Sequence, residues 1–238
     1  MKFEKMEDPY KTYRVLIKFM DEKYVDSFLN DGLLYMNNID YFRNYVDEDI
    51  ALRGDDNEGL AASYIAEGLT ITLGDHILKG AVGKVDLRYS HEGDTNIYSM
   101  TKISDGKILD AGKSGLLLSE KFSKFGNRAV IIGGSNITEF ENRLKQAISN
   151  NQNIHTSRED NVLAKQVSYL IREKHHGKMG VFDKFTDYSW QHEWRIAFKQ
   201  TSASGAYQLK IGSLSDIAQV FETESLIREP LKLVPNNL

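Results

Sequence analysis

Hydrophobic and polar positions alternate from Tyr13 to Met20, which predicts a strand. Tyr13, Val15, Ile17 and Phe19 share one face, and Arg14, Leu16, Lys18 and Met20 the other. The period then changes. Asp21 is placed to cap a helix whose apolar stripe is Tyr24, Val25, Phe28 and Leu29, and Gly32 sits where a glycine ends a helix. Leu33 to Met36 predicts a second short strand, and Ile39 to Tyr45 a short helix ahead of an acidic loop, 47–49.

Residues 53–59 are polar and turn-rich. Beyond them Leu69–Leu78, Val82–Ser90 and Ile97–Ile103 read as strands, and 104–116 as a long glycine-containing loop. Arg128 to Ile132 predicts a buried strand. Asn136 opens an amphipathic helix, with Ile137, Phe140, Leu144 and Ile148 on one stripe and Glu139 placed to close a capping box. Residues 149–161 read as polar loop. Val162 to Ile171 fits strand better than helix, Trp190 to Lys199 and Tyr207 to Ile211 are strands, and Asp216 to Ile227 fits either class. Strands outnumber helices without alternating regularly with them. That pattern predicts a single α+β domain over 1–238 rather than a doubly wound sheet.

Composition narrows the chemistry. With 41% hydrophobic and 27% charged residues the chain is globular, and its 12 Tyr, 11 Phe and 2 Trp supply a core. No cysteine is present, so disulfides, thiolate nucleophiles and Cys-ligated metals are excluded. The net charge of −4 gives no general attraction to nucleic acid or anionic membrane. The N-terminus lacks the apolar core of a signal peptide and no apolar run is long enough to span a bilayer, so a cytoplasmic protein is expected. Gly112-Lys-Ser114 lacks phosphate-loop spacing, and adjacent His175 and His176 cannot face one metal from a regular element. No metal site is expected.

The most informative stretch runs from Phe182 to Phe198. Period two puts Trp190, His192, Trp194, Ile196 and Phe198 on one face, and Gln191, Glu193, Arg195 and Lys199 on the other. One reading is a half-buried strand with its polar side in water, where Glu193 and Arg195 pair with neighbouring strands. The other is a carboxylate beside an amide, able to hold a sugar hydroxyl and stabilise a developing cation. Arg43, Arg53, Asp55 and Glu58 likewise fit either a surface salt-bridge cluster or one wall of a cleft.

Gln191-His-Glu193 resembles the Gln/Glu-x-Glu signature of the ADP-ribosyltransferase superfamily, which also follows an aromatic turn. The opening strand–helix–glycine–strand unit resembles that superfamily too. In order, Lys18-Phe19, Leu33-Leu-Tyr35, Asp55 to Glu58, Phe125-Gly126 and Gln191 to Arg195 resemble a group of bacterial and phage-related proteins, some linked to abortive infection. The resemblance covers about Tyr13 to Phe198. It implies split, mostly antiparallel β-sheets flanked by a few helices, with NAD in the cleft between them. It implies transfer of ADP-ribose from NAD, or NAD hydrolysis, in a phage–bacterium conflict, with protein or nucleic acid as acceptor. Glu193 would be the catalytic carboxylate and Gln191 would orient the acceptor. Lys18 or Arg14 would contact NAD, Ser99 or Thr101 would replace the middle-strand Ser/Thr, and Tyr188 or Trp190 would flank the acceptor. The chain departs from the pattern in three places. Lys18 replaces Arg or His, the Ser-x-Ser motif is not intact, and the 94 residues from Ser99 to Glu193 imply an insertion. The alternative is a non-catalytic nucleotide- or protein-binding module of a defence or counter-defence system. A metal-dependent nuclease built on Asp55 and Glu58 is a third.

Overall fold

The structure is a computed structural model that describes residues 13–46, 52–78, 80, 82–155 and 163–234. The acidic loop at 47–49 lies outside the described residues, as does the side chain of Arg14. Strand β1 is Tyr13–Met20, followed by helix α1, Val25–Asp31, strand β2, Leu33–Asn38, and helix α2, Ile39–Asn44. Four short strands come next: β3 Ala62–Ile65, β4 Ile71–Leu73, β5 His76–Leu78 and β6 Lys84–Leu87. Then follow β7 Asn96–Ser104, α3 Asp105–Asp110, β8 Arg128–Gly133 and α4 Asn136–Ser149. The last part contains β9 Ile154–His155, β10 Ala164–Gln166, β11 Ser168–Leu170, β12 Gly177–Lys178 and β13 Asp183–Phe185. It ends with β14 Glu193–Gln200, β15 Tyr207–Lys210, β16 Ala218–Glu222 and α5 Thr223–Arg228. No helix of the described residues is long and apolar enough to cross a membrane.

This is an α+β fold with mostly antiparallel sheets and few helices. Among the described residues the main sheet has nine strands, with the path β10-β14-β7-β1-β8-β16. Strand β2 joins β7 and carries β15, and β9 extends β14. The only parallel pair among the described strands is β11 with β13.

One edge of β7 positions the site. Strand β1 pairs with its C-terminal part, from Ile17↔Thr101 to Tyr13↔Ser104. Strand β2 pairs with its beginning, through Asn37↔Ile97 and Asn38↔Asn96. Tyr98, Ser99 and Met100 have neither partner on that edge, so the sheet splits there. The opposite edge pairs without a break with β14, from Glu193↔Thr101 to Phe198↔Asn96.

The sheet faces sort the side chains. Trp194, Ile196 and Phe198 join Leu16, Met20, Tyr98 and Met100 in the main core, against the stripe Ile137, Phe140, Leu144 and Ile148 of α4. Ile17, Phe19, Ile103 and Ala129 pack on the other face with Phe122 and Leu226. Gly32 closes α1 at φ 58, where a Cβ would sit 2.1 Å from the Gly212 carbonyl oxygen, so both backbone and space demand glycine.

Several local expectations are corrected. Leu69–Leu78 is a hairpin of two short strands rather than one. Residues 104–116 contain α3, capped when the Ser104 side chain accepts from Lys107 N, instead of a continuous loop. Asp21 makes no side-chain cap. The capping box at α4 is not formed: Glu139 accepts from Arg143, and Asn136 donates to the Ile217 carbonyl.

Candidate functional site

Strand β14 starts later than the alternation predicts. Thr186–Gln191 is a 3-10 helix, and His192 reverses the chain at φ 47, the one positive φ outside glycine among the described residues. The expected strand from Trp190 is therefore corrected to one from Glu193. The turn is held from outside. The Tyr188 hydroxyl donates to the Gly54 carbonyl at 2.7 Å, and the Gln191 amide to the Leu52 carbonyl at 2.6 Å. Trp190 packs on Phe122 and Phe125, away from the Trp194 face.

The polar side of this strand is not in water. Glu193 is 4% exposed and Arg195 1%. Packing of the 52–60 and 181–185 segments over this face removes the solvent the half-buried reading requires. Arg195 Nε donates to Glu193 Oε1 at 2.7 Å, and its two terminal nitrogens donate to the two oxygens of Glu58 at 2.6 and 2.9 Å. Lys184 Nζ lies 3.4 Å from Glu193 Oε2, 3.6 Å from Glu58 and 3.9 Å from Asp55. It also stands 4.2 Å above the Tyr188 ring. Three buried carboxylates thus share two cations, leaving one acid in excess.

Electrostatics divides the carboxyls. Burial alone would raise the Glu193 carboxyl, but the charges of Arg195 and Lys184, with hydrogen bonds from Arg195 and Ser99, outweigh it and hold the group at about 2. Asp55 goes the other way. Burial, then repulsion by Glu58, lifts it to about 6 against the pull of Lys184. Glu193 is ionised at neutral pH, and Asp55 is the member poised to carry a proton.

Lys18 meets this cluster through Ser99. Its amine donates to the Ser99 carbonyl at 2.8 Å, while the Ser99 hydroxyl donates to Glu193 Oε1. The amine also sits 4.1 Å above the Tyr98 ring. Burial lowers it to about 8; Glu193 opposes that shift and Arg53 adds to it. Arg53 donates to the carbonyls of Lys124 and Phe125.

A cavity of about 710 Å³ opens at the split. This lies within the roughly 300–1,000 Å³ of small-molecule sites. Lys18, Arg53, Glu58, Ser99, Thr101, Gln191, Glu193 and Arg195 of the expected residues line it. Tyr188, Trp190 and Asp55 do not line it: Tyr188, expected to flank the acceptor, lies under Lys184, Trp190 packs on Phe122 and Phe125, and Asp55 is a buried cluster member, neither a surface ion-pair residue nor a cleft wall. Tyr24, Tyr35 and Tyr41, exposed by 53%, 53% and 42%, form an aromatic rim.

Sequence reasoning missed Lys184 and Tyr169. A lone lysine among Val181, Phe182, Phe185 and Tyr188 was the available signal for the first. Tyr169, whose hydroxyl accepts from Glu193 N at 2.9 Å, carried none. Among the described residues no group of His, Asp and Glu is arranged to hold a metal. Comparison with family models, with curated proteins and with solved structures finds no match for this chain.

Proposed function

We propose that the chain consumes NAD, releasing nicotinamide and passing ADP-ribose to water or to a protein or nucleic-acid acceptor. The observation that carries this reading is the Ser99–Glu193 hydrogen bond at the split of the sheet, inside a cavity of dinucleotide scale. Glu193 is a fixed, ionised carboxylate, the group needed beside a ribose carbon that gains positive charge as nicotinamide leaves. Its Oε1 is engaged by Ser99 and Arg195. Among the described residues its Oε2 has only the longer Lys184 contact at 3.4 Å, and is the oxygen suited to accept from a ribose hydroxyl. Lys18 and Arg53 supply positive charge for the phosphates, and the tyrosine rim supplies faces for the rings. Gln191 lines the cavity next to Glu193 and can orient the acceptor.

A second reading, a nucleotide-binding module without catalysis, draws on one observation: both Glu193 oxygens already have cationic neighbours. The nuclease reading has less support, because Asp55 and Glu58 are paired with Lys184 and Arg195, and Asp55 does not line the cavity. Calorimetric titration with NAD tests occupancy of the cavity. Binding that Glu193→Gln retains and Lys18→Ala weakens at least tenfold fits the proposal. Absence of binding by the wild-type protein contradicts it.

A further inference from the structure

The two cavity-lining lysines differ in their surroundings. Lys184 has three carboxylates within 3.9 Å, so its ammonium is compensated. Lys18 has a peptide carbonyl and an aromatic ring, and among the described residues no carboxylate within ion-pair distance. Burial of an ammonium with so little compensation raises the share of its neutral form, which grows as pH passes about 8, and a neutral lysine amine is a nucleophile.

We infer that Lys18 is a carbonyl-reactive amine, and that the cleft takes an aldehyde carrying an anionic group and forms an imine at Lys18 Nζ. The geometry supplies each part. Lys18 lines a cavity large enough for such a ligand. Arg53 provides positive charge in the same cleft, and the rim of Tyr24, Tyr35 and Tyr41 provides ring faces. The Lys18 lone pair attacks the carbonyl carbon, and the C=O π pair moves to oxygen. The nitrogen proton passes to that oxygen through water, giving a carbinolamine. The hydroxyl then leaves with a solvent proton as water, and the nitrogen pair forms the C=N bond. One amine, one aldehyde and one proton give one protonated imine and one water, with no change of oxidation state. This activity does not depend on NAD turnover.

The depressed basicity of Lys18 agrees with this assignment. The charged groups acting on it are Glu193 from β14, which raises its value, and Arg53 from the segment before β3, which lowers it. Burial dominates both and sets about 8.

The test uses the full chain and pyridoxal 5′-phosphate as a reporter aldehyde, with borohydride reduction and peptide mass mapping. Lys23 and Lys210, with side chains 67% and 63% exposed, are the internal references. Labelling of Lys18 at least tenfold faster than of either reference, rising with pH to half its plateau near 8, supports the proposal. Competition by inorganic phosphate reports the anion requirement. Lys18→Arg should remove the fast phase and leave the reference labelling intact, with a cooperative thermal melt like that of the wild-type protein to check that the variant is folded. Lys18 labelled no faster than Lys23 and Lys210, or not labelled, overturns the proposal. So does fast labelling that phosphate leaves unchanged, because the anionic half of the ligand class would then be wrong. Nicotinamide release is a separate readout, so failure of either proposal leaves the other standing.

Discussion

Glu58 and Arg195, 137 residues apart in the chain, meet in a buried bidentate pair at 2.6 and 2.9 Å. The same guanidinium holds Glu193, so a loop residue far from β14 fixes the carboxylate at the cavity. Arg195→Met leaves three buried carboxylates with Lys184 alone and should cost about 3–5 kcal/mol, whereas Glu58→Met leaves two carboxylates to two cations and should cost less. The double variant should cost less than the sum by more than about 1 kcal/mol. Urea unfolding of the four proteins measures this, and additive losses would show the pair to be energetically idle.

Asp55 makes stability depend on pH. Its folded value of about 6 lies above its ordinary 3.8, so the native state binds the proton more readily than the unfolded chain. That contribution is complete below pH 3.8 and is lost as pH rises through 6. Asp55→Asn keeps the neutral shape at every pH. It should therefore stabilise the protein at pH 7.5 by on the order of 2 kcal/mol, raising Tm by several degrees, and give no gain near pH 4. Thermal melts at the two pH values provide the measurement. An equal effect at both would place the cause outside this ionisation.

Among the described residues Lys184 is the only cation that touches all three carboxylates. Lys184→Met leaves them repelling one another with Arg195 alone as counter-charge. The loss should be about 3 kcal/mol near pH 8 and should shrink toward pH 5, as Asp55 takes up its proton. A loss independent of pH would indicate packing rather than charge.

Gly126 abuts the end of β1, two residues beyond Lys18. It has φ 146, and a Cβ would fall 2.0 Å from the Met20 carbonyl carbon and 2.4 Å from Asp21 N. Both are backbone atoms and cannot swing aside. Gly126→Ala should cost about 1–3 kcal/mol and weaken ligand binding by displacing β1. Gly134→Ala, also at positive φ but with open space around it, should cost only about 1–2 kcal/mol and leave binding unchanged. Denaturation midpoints and a binding titration separate the two variants.

Local pattern carried much of the fold. The β1 alternation, the Gly32 helix end and the α4 stripe are set by neighbours in sequence, and each forms as expected. The strand β8 does too. What was not legible depends on distant contacts. The reversal at His192 is imposed by Tyr188 and Gln191 bonding to carbonyls near residue 53. Glu193 and Arg195 read as a solvated face because their partners Glu58 and Lys184 come from other segments. Asp55 and Glu58 stood out as a cluster, but a polar, turn-rich stretch gives no sign of being buried. Lys184 went unread for the converse reason: one lysine among apolar residues looks like a surface side chain until three acids surround it.

Nicotinamide release from NAD, by wild-type protein and by Glu193→Gln, tests the central claim most directly. The substitution removes the charge while keeping the shape and an acceptor for Ser99. Release by the wild-type protein that falls at least a hundredfold in Glu193→Gln is the predicted result. Absence of release by both proteins, or equal release by both, would contradict the assignment of Glu193 as the catalytic carboxylate.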